Sequence, residues 1–195
     1  MRTSAPQLLP IFRSAGQGRL LARVYLQPDR PATVADIARE LELDDGGLTR
    51  EADRLEEAGL LRSERIGRSR TLLPNEESPY FRDLYNLLLK AFGPAVFVSP
   101  ALAGIEGIEL AYIFGSWAAR YSGEPGAAPG DVDVLLVGSP DRTVVYRAAM
   151  ALTDVLQREV NPTIVSPERW DEGEDGFIRD VKSSPLVALD LTVDE

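Results

Sequence analysis

Residues 111–116 read Ala111-Tyr112-Ile113-Phe114-Gly115-Ser116, and after 14 intervening residues comes Asp131-Val132-Asp133-Val134-Leu135-Leu136-Val137. One apolar run stops abruptly at Gly-Ser, and the next opens on two acids spaced i, i+2. On a strand, side chains alternate with period 2, so Asp131 and Asp133 fall on one face. Two neighbouring carboxylates repel unless a cation lies between them. Oxygen ligands of this kind suit Mg²⁺, which takes one or two carboxylates together with substrate phosphates. Gly115 lets the backbone approach a phosphate closely, and the Ser116 hydroxyl and the N–H groups after it are donors to that phosphate. Arg120, one helical turn beyond Ser116, is either a further candidate phosphate contact or a surface residue paired with Glu124. Gly115, Ser116, Arg120, Asp131 and Asp133 together describe a metal–nucleotide site.

This pairing of an apolar-Gly-Ser turn with an Asp-x-Asp strand resembles the minimal nucleotidyltransferases of the polymerase-beta-like superfamily, over roughly residues 95–185. The resemblance implies a mixed-sheet α/β domain that binds Mg²⁺ and a nucleoside triphosphate, with Asp131 and Asp133 as metal ligands and catalytic residues. In such enzymes two metal ions about 4 Å apart activate the attacking hydroxyl and clamp the triphosphate. The family supplies a third carboxylate from a later strand. Here that strand is Glu159-Val160-Asn161-Pro162-Thr163-Ile164-Val165, and its alternation puts Asn161 where the third acid is expected, with Glu159 displaced by two residues. Asn carries no charge and cannot act as a base. The domain is therefore expected to bind a nucleotide and to be weakly active or inactive. The alternative is an active nucleotidyltransferase acting on a protein, small molecule or RNA. Relatives of this fold act as antitoxins that adenylylate a toxin, which makes a toxin a candidate partner protein.

The first half of the chain reads differently. Thr33 precedes Val34, Ile37, Ala38 and Leu41, a helical apolar stripe with a capping Thr and an acid three residues on. Asp44 is placed to cap a second helix from about Asp45 to Glu57, with Leu48, Ala52 and Leu55 facing inward and Gly59 as the residue beyond its end. Upstream, Arg19–Leu26 is predicted helical and ends at Pro28. Leu61–Leu73 then reads as strand, Gly-containing turn, strand. Three helices followed by a basic hairpin make a winged helix-turn-helix. The Leu-Glu-Glu-Ala-Gly-Leu ending of the second-last element is similar to that of ArsR- and MarR-like bacterial regulators, over about residues 15–75.

A recognition helix reads base edges in the major groove with its N-terminal residues. Gly46, Gly47, Thr49, Arg50 and, one turn on, Arg54 occupy that position here. In the hairpin, Arg62, Arg65, Arg68 and Arg70 against Glu64 give a local +3. Arg65, Arg68 and Arg70 are therefore candidates for phosphate or minor-groove contact. The expected partner is double-stranded DNA, bound by a homodimer.

Composition sets the frame for both halves. The chain has 195 residues, is 44% hydrophobic and 27% charged, and should be globular. No apolar run is long enough to span a bilayer, for which about 18 residues are needed, and the first residues lack a signal-peptide core; a cytoplasmic protein without a membrane partner is expected. With no Cys and no His, disulfides, Cys/His zinc sites and His-based catalysis are excluded. The net charge of −10 divides unevenly, with residues 1–75 at +1 and 76–195 at −11, so the first half can still present a basic face. The expected organisation is α+β: a winged helix-turn-helix at 1–75, a linker and interdomain helix at 76–94 starting at Ser78-Pro79, and a nucleotidyltransferase-like domain at 95–195. In the last, helix is predicted over about 95–108, 116–121, 142–158 and 167–181, with strands at 110–114, 131–137 and 160–165.

Overall fold

The structure is a computed structural model and describes residues 11–66 and 69–192. The chain divides into two compact units, Met1–Gly93 and Pro94–Glu195.

In the first unit, α1 (Ala15–Leu26), α2 (Val34–Glu40) and α3 (Asp45–Glu57) are followed by the hairpin β2 (Leu61–Ile66) and β3 (Ser69–Pro74), with the two-residue β1 (Ala32–Thr33) on the far side of β3. All pairs are antiparallel. The caps read from the sequence are made. The Thr33 side chain accepts from Asp36 N at 3.2 Å and Asp44 from Gly47 N at 2.6 Å. α1 starts earlier than predicted, at Ala15, because Ser14 caps it through Gln17 N. Gly18 sits inside it for a packing reason: a Cβ there would lie 2.8 Å from Phe92 Cζ.

That Phe92 belongs to α4 (Phe81–Phe92), and the segment expected as an interdomain helix falls within the first unit. α4 packs on α1, with the Phe81 and Tyr25 rings stacked at 5.5 Å and the Phe92 and Phe12 rings at 6.0 Å, over buried Leu88 and Leu89. It begins at Phe81, because Ser78-Pro79 forms a turn in which Phe81 N donates to Ser78 O. Tyr25 is buried and its hydroxyl donates to Leu60 O at 2.7 Å. Burial pushes that hydroxyl up to about 12, so it remains a neutral donor. A part-buried ion pair, from buried Arg23 Nε to Glu40 Oε2 at 2.9 Å, ties α1 to α2.

The second unit runs α5 (Pro94–Leu102), β4 (Ile108–Phe114), α6 (Gly115–Tyr121), β5 (Asp131–Gly138), α7 (Arg142–Leu156), β6 (Glu159–Val165), α8 (Pro167–Glu172), α9 (Gly176–Ser183) and β7 (Val187–Ala188). The sheet order is β6-β5-β4-β7, with β5 and β6 parallel and the other pairs antiparallel, the mixed sheet that was expected. α5 stops at Leu102, short of the predicted end. The long helix expected over 167–181 is broken into α8 and α9 by Gly173, whose φ of +63° closes α8 in the left-handed region.

The two faces of β5 meet different neighbours. Val134, with Val160 and Pro162 of β6, lines a small apolar void with Val98 and Leu102 of α5 and Val145, Ala149 and Leu152 of α7. Leu135 and Val137 pack with Trp170 of α8, Ile178 and Val181 of α9, and Tyr112 and Phe114 of β4. Period 2 puts Asp131 and Asp133 on this second face.

Candidate functional site

β5 carries Asp131 and Asp133 at its first turn of pleat, both half-buried. Its register is decisive. Asp133 lies opposite Phe114 of β4 and opposite Asn161 of β6, and Asp131 lies opposite Glu159. Phe114 is the last residue of β4, so Gly115 turns over the Asp133 carboxylate. A Cβ at Gly115 would stand 2.8 Å from Asp133 Oδ2, and its φ is +67°. Glycine is required here on both counts, since an L side chain would meet the carboxylate and strain the backbone. Gly115 and Ser116 are themselves exposed.

Asn161, at the position where a third acid was expected, donates its Nδ2 to Asp131 Oδ2 at 3.0 Å. Asp133 is desolvated and lies beside the Asp131 charge. Burial, and then that charge, push its carboxyl above the ordinary value, while the Asn161 amide works in the opposite direction. Among the described residues, no group of three or more acids converges as a metal-holding cluster. The donor set is thus two carboxylates beside a glycine turn. It suits a cation that brings further oxygen ligands with it, as Mg²⁺ does when bound to phosphates.

Arg120 is placed differently from its sequence reading. Its Nη1 donates to the backbone carbonyl of Glu124, and the guanidinium lies against the Gly126 backbone, in the space a Cβ there would take. Arg120 therefore clasps the 122–130 loop. Trp117, next to the turn, is buried in the core.

In the first unit the structure separates the candidate DNA contacts. Gly46 and Arg50 at the start of α3 are exposed, as is Arg65 on β2, and neither arginine has an ion-pair partner among the described residues. Gly47 is tucked under the Asp44 cap, and Thr49 turns its hydroxyl back to Asp45 O at 2.9 Å. Arg54 pairs with Glu51 at 3.2 Å. Arg70 is held by two acids of α3, with Nη1 on Asp53 Oδ1 at 2.5 Å and Nη2 on Glu56 Oε2. It fastens the hairpin to the helix instead of reaching outward, a role invisible in the sequence because its partners are 17 and 14 residues away. Arg68 lies outside the described residues.

The perturbed carboxyl has a consequence for stability. An acid whose pKa rises on folding holds more protons folded than unfolded between its two pKa values, so stability falls as pH rises through that window. Asp133→Asn removes the penalty. The variant is expected to melt above the wild type at pH 7, with the gap closing as pH drops below about 4. Thermal unfolding at both pH values checks this, and an unchanged or lower melting temperature at pH 7 contradicts it.

Comparison with known proteins bears on the first unit. The MarR family model matches residues 13–70. Solved structures similar to the chain include ZitR of Lactococcus lactis, at 21% identity over 37% of this chain and 51% of that one, with a TM-score of 0.31. MepR, a transcription regulator of the Staphylococcus aureus multidrug efflux pump MepA, is similar at 20% identity over 44% of this chain and 63% of that one, with a TM-score of 0.38. RV1404 of Mycobacterium tuberculosis is similar at 18% identity over 80% and 82%, with a TM-score of 0.40. The chain spans about half the length of the ZitR structure it matches. No curated protein matches it. Residues 13–70, which hold the three helices and the start of the hairpin that continues to Pro74, match as a winged helix-turn-helix domain of the MarR family.

Proposed function

We propose that this chain is a DNA-binding transcriptional regulator, acting as a cytoplasmic homodimer, whose second unit is a nucleotidyltransferase-like domain that binds a nucleoside triphosphate with Mg²⁺ and has little or no transfer activity. The observation that carries the nucleotide reading is the juxtaposition at the head of β5, where the Gly115 turn sits on the Asp133 carboxylate and Asn161 is bonded to Asp131. Asp131 and Asp133 would hold the metal, and the exposed Gly115-Ser116 turn would meet the phosphates. Bound there, Mg²⁺ would neutralise the phosphate charge. Asn161 argues for binding over turnover. Its amide, already spent on Asp131, supplies neither the charge of a third ligand nor a base for an attacking hydroxyl. The MarR-family domain supports DNA binding. Among the described residues no helix is long and apolar enough to cross a membrane.

Calorimetric titration with ATP, GTP, CTP and UTP, with and without Mg²⁺, tests the nucleotide reading. Metal-dependent binding is expected for the wild type, and loss of at least about tenfold in affinity for Asp131→Asn combined with Asp133→Asn, since each removes a charged metal ligand. Affinity retained by the double variant would move the site elsewhere. Steady turnover of a nucleotide by the wild type would replace this reading with the active-enzyme one.

For DNA, the slope of log affinity against log salt separates contact from positioning. Arg65→Ala is expected to weaken binding and lower the slope by about 1, as loss of one phosphate contact does. Arg70→Ala should weaken binding with the slope unchanged, because Arg70 acts through Asp53 and Glu56. Equal slope changes for both variants would place Arg70 on the phosphates.

A further inference from the structure

Phe177 stands at the start of α9 with 36% of its surface exposed. An exposed apolar residue is ordinary in itself, but the location of this one is not. Its ring meets Phe114 edge to face, with centroids 5.8 Å apart. Phe114 in turn is registered opposite Asp133, and directly opposed residues of paired strands share a face. The path from the carboxylates runs across Phe114 to an open aromatic ring. Of the other large exposed apolar side chains of this unit, Val144, Tyr146, Met150 and Val155 belong to α7, the helix that covers the opposite face of the sheet, Val96 and Phe97 belong to α5, and Leu110 lies opposite Val137, toward the end of β4 away from Asp133.

The ring is also anchored. The Asp175 carboxylate accepts from Phe177 N at 2.7 Å and Ile178 N at 3.3 Å. Arg169 holds that carboxylate through Nε at 3.1 Å and Nη2 at 2.5 Å. The next residue, Ile178, is fully buried in the core under the sheet. An aromatic fixed at its backbone and braced along one edge loses little freedom when a planar group stacks on it.

The geometry points to a base-stacking subsite in which Phe177, braced by Phe114, receives the nucleobase of a nucleotide whose phosphates lie at Gly115, Ser116, Asp131 and Asp133. This inference rests on the nucleotide reading above. Phe177 is a binding residue in it, set one side chain away from the phosphate end, with the sugar bridging the interval. Stacking uses the π-face that every base has, so the subsite accepts all four bases and favours purines through their larger ring.

The test uses the full chain and two probes, Mg²⁺-ATP and Mg²⁺-tripolyphosphate, the second having phosphates but no base. The wild type is expected to bind both, ATP more tightly. Phe177→Ala and Phe177→Leu should each lower ATP affinity by roughly ten- to a hundredfold, as removal of a stacking ring does, and leave tripolyphosphate affinity unchanged, whereas Phe177→Trp should restore ATP. Phe177→Leu keeps the apolar packing against Phe114 and decides the matter if Phe177→Ala fails to fold. Wild-type ATP affinity in Phe177→Leu overturns the subsite and leaves the phosphate site standing. Failure of the wild type to bind either probe overturns the nucleotide reading itself.

Discussion

The register of β5 between β4 and β6 is the constraint on which the second unit depends. Leu135 and Val137 are buried against Trp170, Ile178 and Val181, and Val132, Val134 and Leu136 are buried on the alternate positions of the strand. A one-residue slip would exchange the two faces. Asp131 and Asp133 would then point toward Val145, Ala149 and Leu152 of α7, where an unpaired carboxylate costs several kcal/mol. Apolar packing thus fixes the register, and the register in turn puts two acids next to a glycine turn on one side and an amide on the other.

The arrangement holds its charges at a cost. Asp133 is desolvated and lies beside Asp131, and its carboxyl is displaced upward accordingly. Such tension between stability and site chemistry is common where binding groups are preorganised. Asn161 relieves part of it by donating to Asp131. A carboxylate in its place would add a third negative charge, which a bound metal or uptake of a proton would have to offset. The amide gives a pair of acids that the fold tolerates without a metal, and it removes a group that nucleotidyl transfer would use. That exchange suits a domain that reports on a ligand better than one that turns it over.

Much of this was legible from local pattern. The bounds of α3, the Thr33 and Asp44 caps and the two-faced β5 follow from short-range periodicity and capping chemistry, and the structure has them where the residues put them. What escaped the sequence is tertiary. The helix predicted from Arg19 starts four residues earlier and runs through Gly16 and Gly18, where Gly18 makes room for Phe92 from a helix far along the chain. Arg70 looked like a wing-tip cation until its two partners on α3 were in place. Arg120 does meet Glu124, four residues on, but at its backbone carbonyl. Phe114 and Phe177 are 63 residues apart, and only the packing of α9 on the sheet joins them.

The measurement that tests the account most directly is DNA affinity at fixed salt, with and without saturating Mg²⁺-nucleotide, for the wild type and for the chain lacking both Asp131 and Asp133 carboxylates. If the second unit senses a nucleotide on behalf of the first, the two binding events are linked, and coupling of this kind usually amounts to about 5- to 150-fold. The account predicts a nucleotide-dependent change in DNA affinity in the wild type that vanishes in the Asp131→Asn, Asp133→Asn chain. Identical DNA affinity with and without bound nucleotide would contradict it.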